Sequence, residues 1–221
     1  MKLLIRCPWL TAGVLGLLVA APLAARTIDL LDEDCERVAV ISSNAPRLSW
    51  AVSEWPRGVY TTNLGIALRP GNAILICFPI DQIPKGQRIR SAELTIPVWG
   101  AEGPGRITVR RILGDWGTGV CHQYRMTYPK KVEWGKPGAR AIGSDCATKP
   151  TAVLQVNEKG HKTVNVFKDV EMWYNGDASN HGWIITAEDQ NTSLQLMCPV
   201  SSYPAGRGVW KLSVEYVPED K

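Results

Sequence analysis

Residues 73–99, AILICFPIDQIPKGQRIRSAELTIPVW, decide the fold. The stretch opens on an apolar run of strand length, residues 73–79. Residues 81–88 follow with Pro84 and Gly86, the residue types of a tight turn. Beyond the turn, Ala92, Leu94, Ile96 and Val98 fall on one face, and Glu93, Thr95, Pro97 and Trp99 on the other. A period of two marks a half-buried strand and not a helix. The stretch therefore reads as a central hairpin, and the rest of the chain as further strands that cover it.

Outward from this hairpin the same signals recur. Upstream, residues 37–43 (RVAVISS) and 61–68 read as strands, separated by a loop over 44–58 that carries Pro46, Trp50, Trp55 and Pro56. Downstream, residues 106–112 (RITVRRI) place Ile107 and Val109 inward, and Trp116 sits in a Gly-rich loop over 114–120. Strands follow at 151–157 and 162–167, on either side of a turn at 158–161. Residues 182–187 and 193–197 read as a hairpin. Residues 210–217 (WKLSVEYV) alternate, with Trp210, Leu212, Val214 and Tyr216 inward. A single helix is expected over 168–174, where Val166, Val170 and Trp173 share one stripe and Asn175-Gly176 stops the run. About ten short strands imply an all-β, two-sheet antiparallel sandwich of jelly-roll type.

The first 25 residues have the form of a secretory signal: Lys2 and Arg6, then an apolar stretch over 10–21 too short to span a bilayer, then small residues up to Ala25. Residues 26–36 read as a polar, acidic leader, 37–217 as one domain and 218–221 as a tail. The expected setting is extracellular, at the cell surface or in the periplasm, with no membrane span in the mature chain. The net charge of +4 falls to about +2 without Lys2 and Arg6, which gives no general reason to expect nucleic acid. Charge is nevertheless uneven. Residues 121–149 hold Arg125, Lys130, Lys131, Lys136, Arg140 and Lys149 against only Glu133 and Asp145, a docking patch for an anionic polymer or a solvated loop.

Six cysteines become five once Cys7 leaves with the signal. Cys121 and Cys146 bracket the basic segment and are the expected disulfide, one that would restrict the unfolded chain by roughly 3 kcal/mol. Cys35 with Cys198 is the second expected pair, and Cys77, inside the central apolar strand, the unpaired thiol.

An ordered series of short motifs resembles the DNRLRE domain. Asn63-Leu64-Gly65 is followed by the strand ending Phe78-Pro79-Ile80, then by Ile83-Pro84 and IRSAEL over 89–94. Val109-Arg110, Trp116, Val132–Trp134 with Pro137-Gly138, VEMWYNG over 170–176, Asn180–Gly182 and the closing strand at 210–216 follow in the family's order. The likeness spans residues 37–217; Cys77 stands where the family often has Arg, and Pro79 where it has Asp. The family is similar to carbohydrate-binding module family ninety-six, secreted and cell-surface β-sandwiches of which some bind acidic polysaccharides such as alginate. The resemblance thus implies a non-catalytic polysaccharide-binding module.

Sugar recognition requires flat apolar faces, polar groups beside them, and cations where the glycan is a uronate. Trp173 and Trp210 lie on inward stripes, and Trp134 and Trp183 match family positions within the fold. Trp99, by its parity, and Trp50, Trp55 and Trp116, in loops, are the candidate platforms. Arg110, Lys130, Lys131 and Arg140 are the candidate cations, Arg binding carboxylates bidentately and Lys as a point charge. The alternative is a structural or adhesive surface protein with a protein partner and no sugar. No enzyme is expected: nucleotide-binding and nucleophile-elbow motifs are missing, and the acids are too scattered for a glycosidase pair. His122 beside Cys121 lacks any close zinc spacing, and no cofactor is expected; a structural calcium, which many sandwich modules hold, stays open although no EF-hand-like loop marks it.

Overall fold

A computed structural model describes residues 24–51, 65–102, 104–187, 193–197 and 210–218. The signal segment up to residue 23, Trp55 and Cys198 lie outside the described residues. The fold is the expected all-β sandwich of two antiparallel sheets. Sheet A runs β1 (Arg26–Leu31), β14 (Lys211–Pro218), β6 (Gln87–Glu102), β13 (Ser193–Met197) and β4 (Gly65–Leu68), with β11 (Gly160–Asn165) also paired to β6. Sheet B runs β10 (Ala152–Val156), β7 (Gly105–Arg111), β12 (Trp183–Ala187), β5 (Asn72–Cys77), β2 (Arg37–Ser42) and β3 (Trp50–Ala51). A small ribbon of β8 (Tyr124–Met126) and β9 (Val132–Glu133) stands apart, and the one α-helix among the described residues, α1, spans Phe167–Tyr174. Among the described residues, no helix is long and apolar enough to cross a membrane.

The central hairpin is not a hairpin. β5 pairs with β2 and β12 in sheet B, whereas β6 pairs with β14, β13 and β11 in sheet A. Residues 78–86 form a corner that carries the chain across the sandwich. The helix fastens this corner: the Tyr174 hydroxyl donates to the Pro84 carbonyl at 2.6 Å and accepts the Gln87 N–H at 2.9 Å. The expected hairpin at 182–197 is likewise split between β12 in sheet B and β13 in sheet A. The expected leader is a strand. β1 pairs with β14 from Arg26↔Tyr216 to Leu31↔Lys211, and Leu30 enters the core; its acidic residues conceal an alternation of Ile28 and Leu30 inward with Thr27 and Asp29 outward.

Why β5 is apolar without alternation is now clear. Ile74, Ile76 and Phe78 face the core between the sheets, with Val109, Trp183, Ile185, Leu94, Ile96 and Trp210. Ala73, Leu75 and Cys77 face the other way, into a second apolar layer with Ala39, Ile41 and Ile184. Residues 112–146, inserted between neighbouring strands β7 and β10, supply the far side of that layer through Ile112, Trp116, Val120, Trp134, Ala139 and Cys146. A strand buried on both faces reads as a continuous apolar run. The basic segment is therefore a packed cap over the outer face of sheet B.

The junction of β12 with β5 admits no side chain. Gly182 has φ +73°, and a Cβ there would press on the Ile76 carbonyl and lie 2.8 Å from Cys77 Cα. Gly182→Ala is expected to cost more than about 2 kcal/mol, from left-handed strain plus a backbone clash, read as a shift of the urea midpoint.

Candidate ligand-binding site

The cap is held by one carboxylate that sequence reasoning passed over. Asp145 is only 6 % exposed. Its Oδ1 accepts the Gly135 N–H at 2.7 Å, and its Oδ2 accepts the N–H groups of Lys136 and Ala141, both at 3.0 Å. Backbone bonds from Leu113 N–H to Asp145 O, Ala147 N–H to Arg111 O and Thr151 N–H to Val109 O zip the base of the cap onto β7. The Trp134 indole N–H donates to the Cys121 carbonyl at 2.9 Å.

These bonds take the place of the expected disulfide. Cys121 and Cys146 both carry free thiols, so the expected Cys121–Cys146 pairing is not formed, while Cys198, the expected partner of Cys35, lies outside the described residues. The reason is local: Cys121 Sγ accepts the Tyr124 N–H at 3.4 Å inside its own turn, while Cys146 bridges to Ile112 and Ile142 on the stem. Each serves as a small buried group. Cys77 is free, as expected, and fully buried. Burial, outweighing the nearby Arg37 charge, pushes its thiol up to about 12 from an ordinary 9.0. The unfolded thiol then loses its proton near pH 9 while the folded one holds it. The stability that follows from this difference is complete below pH 9 and is lost as pH rises toward 12. Accordingly, thiol alkylation at pH 8 is expected to modify Cys77 only in denaturant, and modification of the native protein would show that the layer opens.

Where β2 begins and β5 ends, a polar seam joins the cap to sheet B. The Arg37 guanidinium donates to Asp115 Oδ1 at 2.6 Å and to the Trp116 carbonyl, and lies 5.0 Å over the Trp116 ring. The Trp116 indole N–H donates to the His181 carbonyl at 2.8 Å. His181 Nδ1 stands 3.6 Å from Asp115 Oδ1, yet burial, the largest influence, lowers its pKa, so the ring is neutral at pH 7. Beside it a cavity of about 140 Å³ is lined by Arg111, Ile112, Leu113, Ala178, Ser179 and His181. Among the described residues no three His, Cys, Asp or Glu side chains converge to hold a metal.

The candidate residues fall in separate places. Trp116 is 1 % exposed and is a core residue of the cap, which rules it out as a platform; its one polar group, the indole N–H, is taken by the His181 carbonyl, and Arg37 covers its face. Arg110 is committed to the cap stem, donating to the Ala147 and Thr148 carbonyls at 3.2 and 2.8 Å. Arg140 is half-buried near His122, whose pKa is lowered by burial and by the Arg140 charge. Trp50 belongs to the edge strand β3. Trp99 is 45 % exposed on the outer face of sheet A, as its parity predicts, and so on the opposite side of the sandwich from the cap. Trp134, Trp173, Trp183 and Trp210 are buried, as expected.

Lys130 and Lys131 do share a site, together with an aromatic that composition did not single out. Both are exposed in the loop joining β8 and β9, beside Tyr128, which is 70 % exposed. Lys131 Nζ sits 4.6 Å from the centroid of the Tyr124 ring. The ribbon is anchored by Gly117 N–H to Arg125 O and by Thr127 N–H to Thr118 O. The signal was the pair Tyr128-Pro129 directly before two lysines. Neither protein-family models nor curated proteins gave a match to this chain.

Proposed function

We propose that the protein is a secreted or cell-surface, non-catalytic module that binds an acidic polysaccharide through the tip of the cap. The observation that carries this reading is the exposed Tyr128 flanked by Lys130 and Lys131 on a ribbon anchored to the cap. A ring face takes the apolar side of a sugar, and ammonium groups beside it neutralise carboxylates or sulfates. The likeness to the DNRLRE domain supports the same class of ligand.

The test is retardation in native gels containing alginate, pectate or dextran sulfate. The protein should be retarded by acidic polymer. Lys130→Ala/Lys131→Ala should abolish this, and Tyr128→Ala should weaken it by about tenfold at moderate salt, where the screened charge contributes less. Equal retardation of all three proteins would overturn the reading.

A further inference from the structure

The cavity beside the seam gathers polar groups that the fold leaves without partners. It lies between residues 111–113, where β7 runs into the cap stem, and residues 178–181, in the turn from α1 to β12. At about 140 Å³ it has room for one six-membered ring, since a cavity of about 150 Å³ accepts benzene. Leu113 and Ser179 are exposed, which puts its mouth at the surface. Ile112, Leu113 and Ala178 make apolar walls, and Arg111, Ser179 and His181 polar ones. Arg111 Nη1 donates to the Met172 sulfur, and its Nε is buried with no hydrogen-bond partner, 3.9 Å from Asp169 Oδ1. Asp169 Oδ2 accepts instead from the Thr151 hydroxyl at 2.5 Å and the Trp183 indole N–H at 2.8 Å. His181 Nδ1 is likewise buried and without a hydrogen-bond partner, 3.6 Å from Asp115 Oδ1. Buried polar atoms left in this way are rare, and two on residues lining one cavity call for a ligand.

The charges around the cavity restrict that ligand. Of the six lining residues, Arg111 alone is charged at pH 7, because burial keeps His181 neutral. A second guanidinium is close: Arg125 lies against Gly114, where a Cβ would collide with its Nη1, and its charge also acts on His181. The acids nearby are Asp115, bonded to Arg37, Glu36, 3.7 Å from Arg37, Asp169, bonded as above, and the exposed Asp177 next to Ala178. None of them lines the cavity. Together they oppose a phosphate-like dianion, whereas a single carboxylate can take paired N–H bonds from one guanidinium. We propose that this cavity binds a small, ring-sized monocarboxylate, with its carboxylate on Arg111, its ring between Ile112, Leu113 and Ala178, and a hydroxyl on Ser179 or His181. Two kinds of compound share this chemistry, a free uronic acid and a hydroxylated aromatic acid. The site is separate from the ribbon of Tyr128, Lys130 and Lys131 and does not rest on the polymer assigned there.

NMR titration of the intact, isotope-labelled protein with sodium glucuronate and with sodium para-hydroxybenzoate, at constant pH and ionic strength, tests the proposal. At least one of them is expected to shift the amides of Leu113, Ser179 and His181 saturably, and which one does so identifies the source. Glucose and para-hydroxybenzyl alcohol, which lack the carboxylate, should bind at least about tenfold more weakly. Arg111→Lys keeps a cation facing Asp169 but loses the planar fork, and should weaken binding by about tenfold. Ser179→Phe, at an exposed position, should block the mouth and abolish the shifts, with the melting temperature within about two degrees of the parent. Lys130→Ala/Lys131→Ala should bind the small acid like the parent. The proposal is overturned if neither acid shifts these amides, if the uncharged compounds shift them equally, or if Arg111→Lys and Ser179→Phe both bind like the parent. The same shifts produced by sodium sulfate or phosphate would also overturn it, in favour of a general anion site.

Discussion

Alanine in place of Asp145 is expected to release the cap from sheet B and to cost about 3 kcal/mol or more. Three N–H groups, those of Gly135, Lys136 and Ala141, donate to this one buried carboxylate. Removing it takes away three charge-assisted bonds and leaves their donors without an acceptor, which is more costly than losing both partners together. The two oxygens do unequal work, so Asp145→Asn is expected to be milder, keeping one acceptor and turning the other position into a donor that faces donors. Hydrogen exchange distinguishes loss of the cap from loss of the whole fold. Amides of residues 135–146 should lose protection in the alanine variant while those of β6 and β14 keep theirs. A cap that stays protected, with an unchanged denaturation midpoint, would show that its apolar layer alone is enough to hold it.

Trp116→Ala is the second substitution of large effect, at about 3–5 kcal/mol. The indole is enclosed by the cap and by Cys77, Leu75 and their neighbours in the second apolar layer, and it carries the Arg37 guanidinium on its face. Truncation opens a cavity there, strips a partly buried cation of its ring, and leaves the His181 carbonyl without its donor. Trp116→Phe should restore most of the packing and lose chiefly the N–H bond, about 1 kcal/mol. Urea denaturation gives both numbers. A near-neutral Trp116→Ala whose retardation by polysaccharide is lost would return Trp116 to the role of a sugar platform.

Much of the strand content was legible in the sequence because side-chain alternation is written in it directly. Parity placed Trp99 outward and Trp210, Leu212 and Val214 inward, and the i, i+4, i+7 stripe placed α1. Strand partners were not legible. Alternation states which face a residue takes and is silent on which sheet the strand joins, so the corner at 78–86 read as a hairpin turn. The cap was missed for a related reason. Its Trp and Cys residues lie among lysines, glycines and prolines, and a layer built from irregular backbone has no period to detect. The same disguise hid β1 among acids. Lys130 and Lys131 were legible as charge; their neighbour Tyr128 became notable only once its exposure was known.

The order of strands also sets a schedule for folding. β14, the last of the described strands in chain order, lies between β1, the first of them, and β6 in sheet A. From β4 to β7 each connection passes to the opposite sheet, so most neighbours are distant in sequence. Such a topology has a high contact order and folds slowly, because long loops must close before their contacts form. A ribosome making this chain completes both flanks of sheet A long before the strand that joins them. Until Lys211–Pro218 emerges, β1 lacks its partner strand and β6 one of its neighbours, so sheet A is the last part of the sandwich to close.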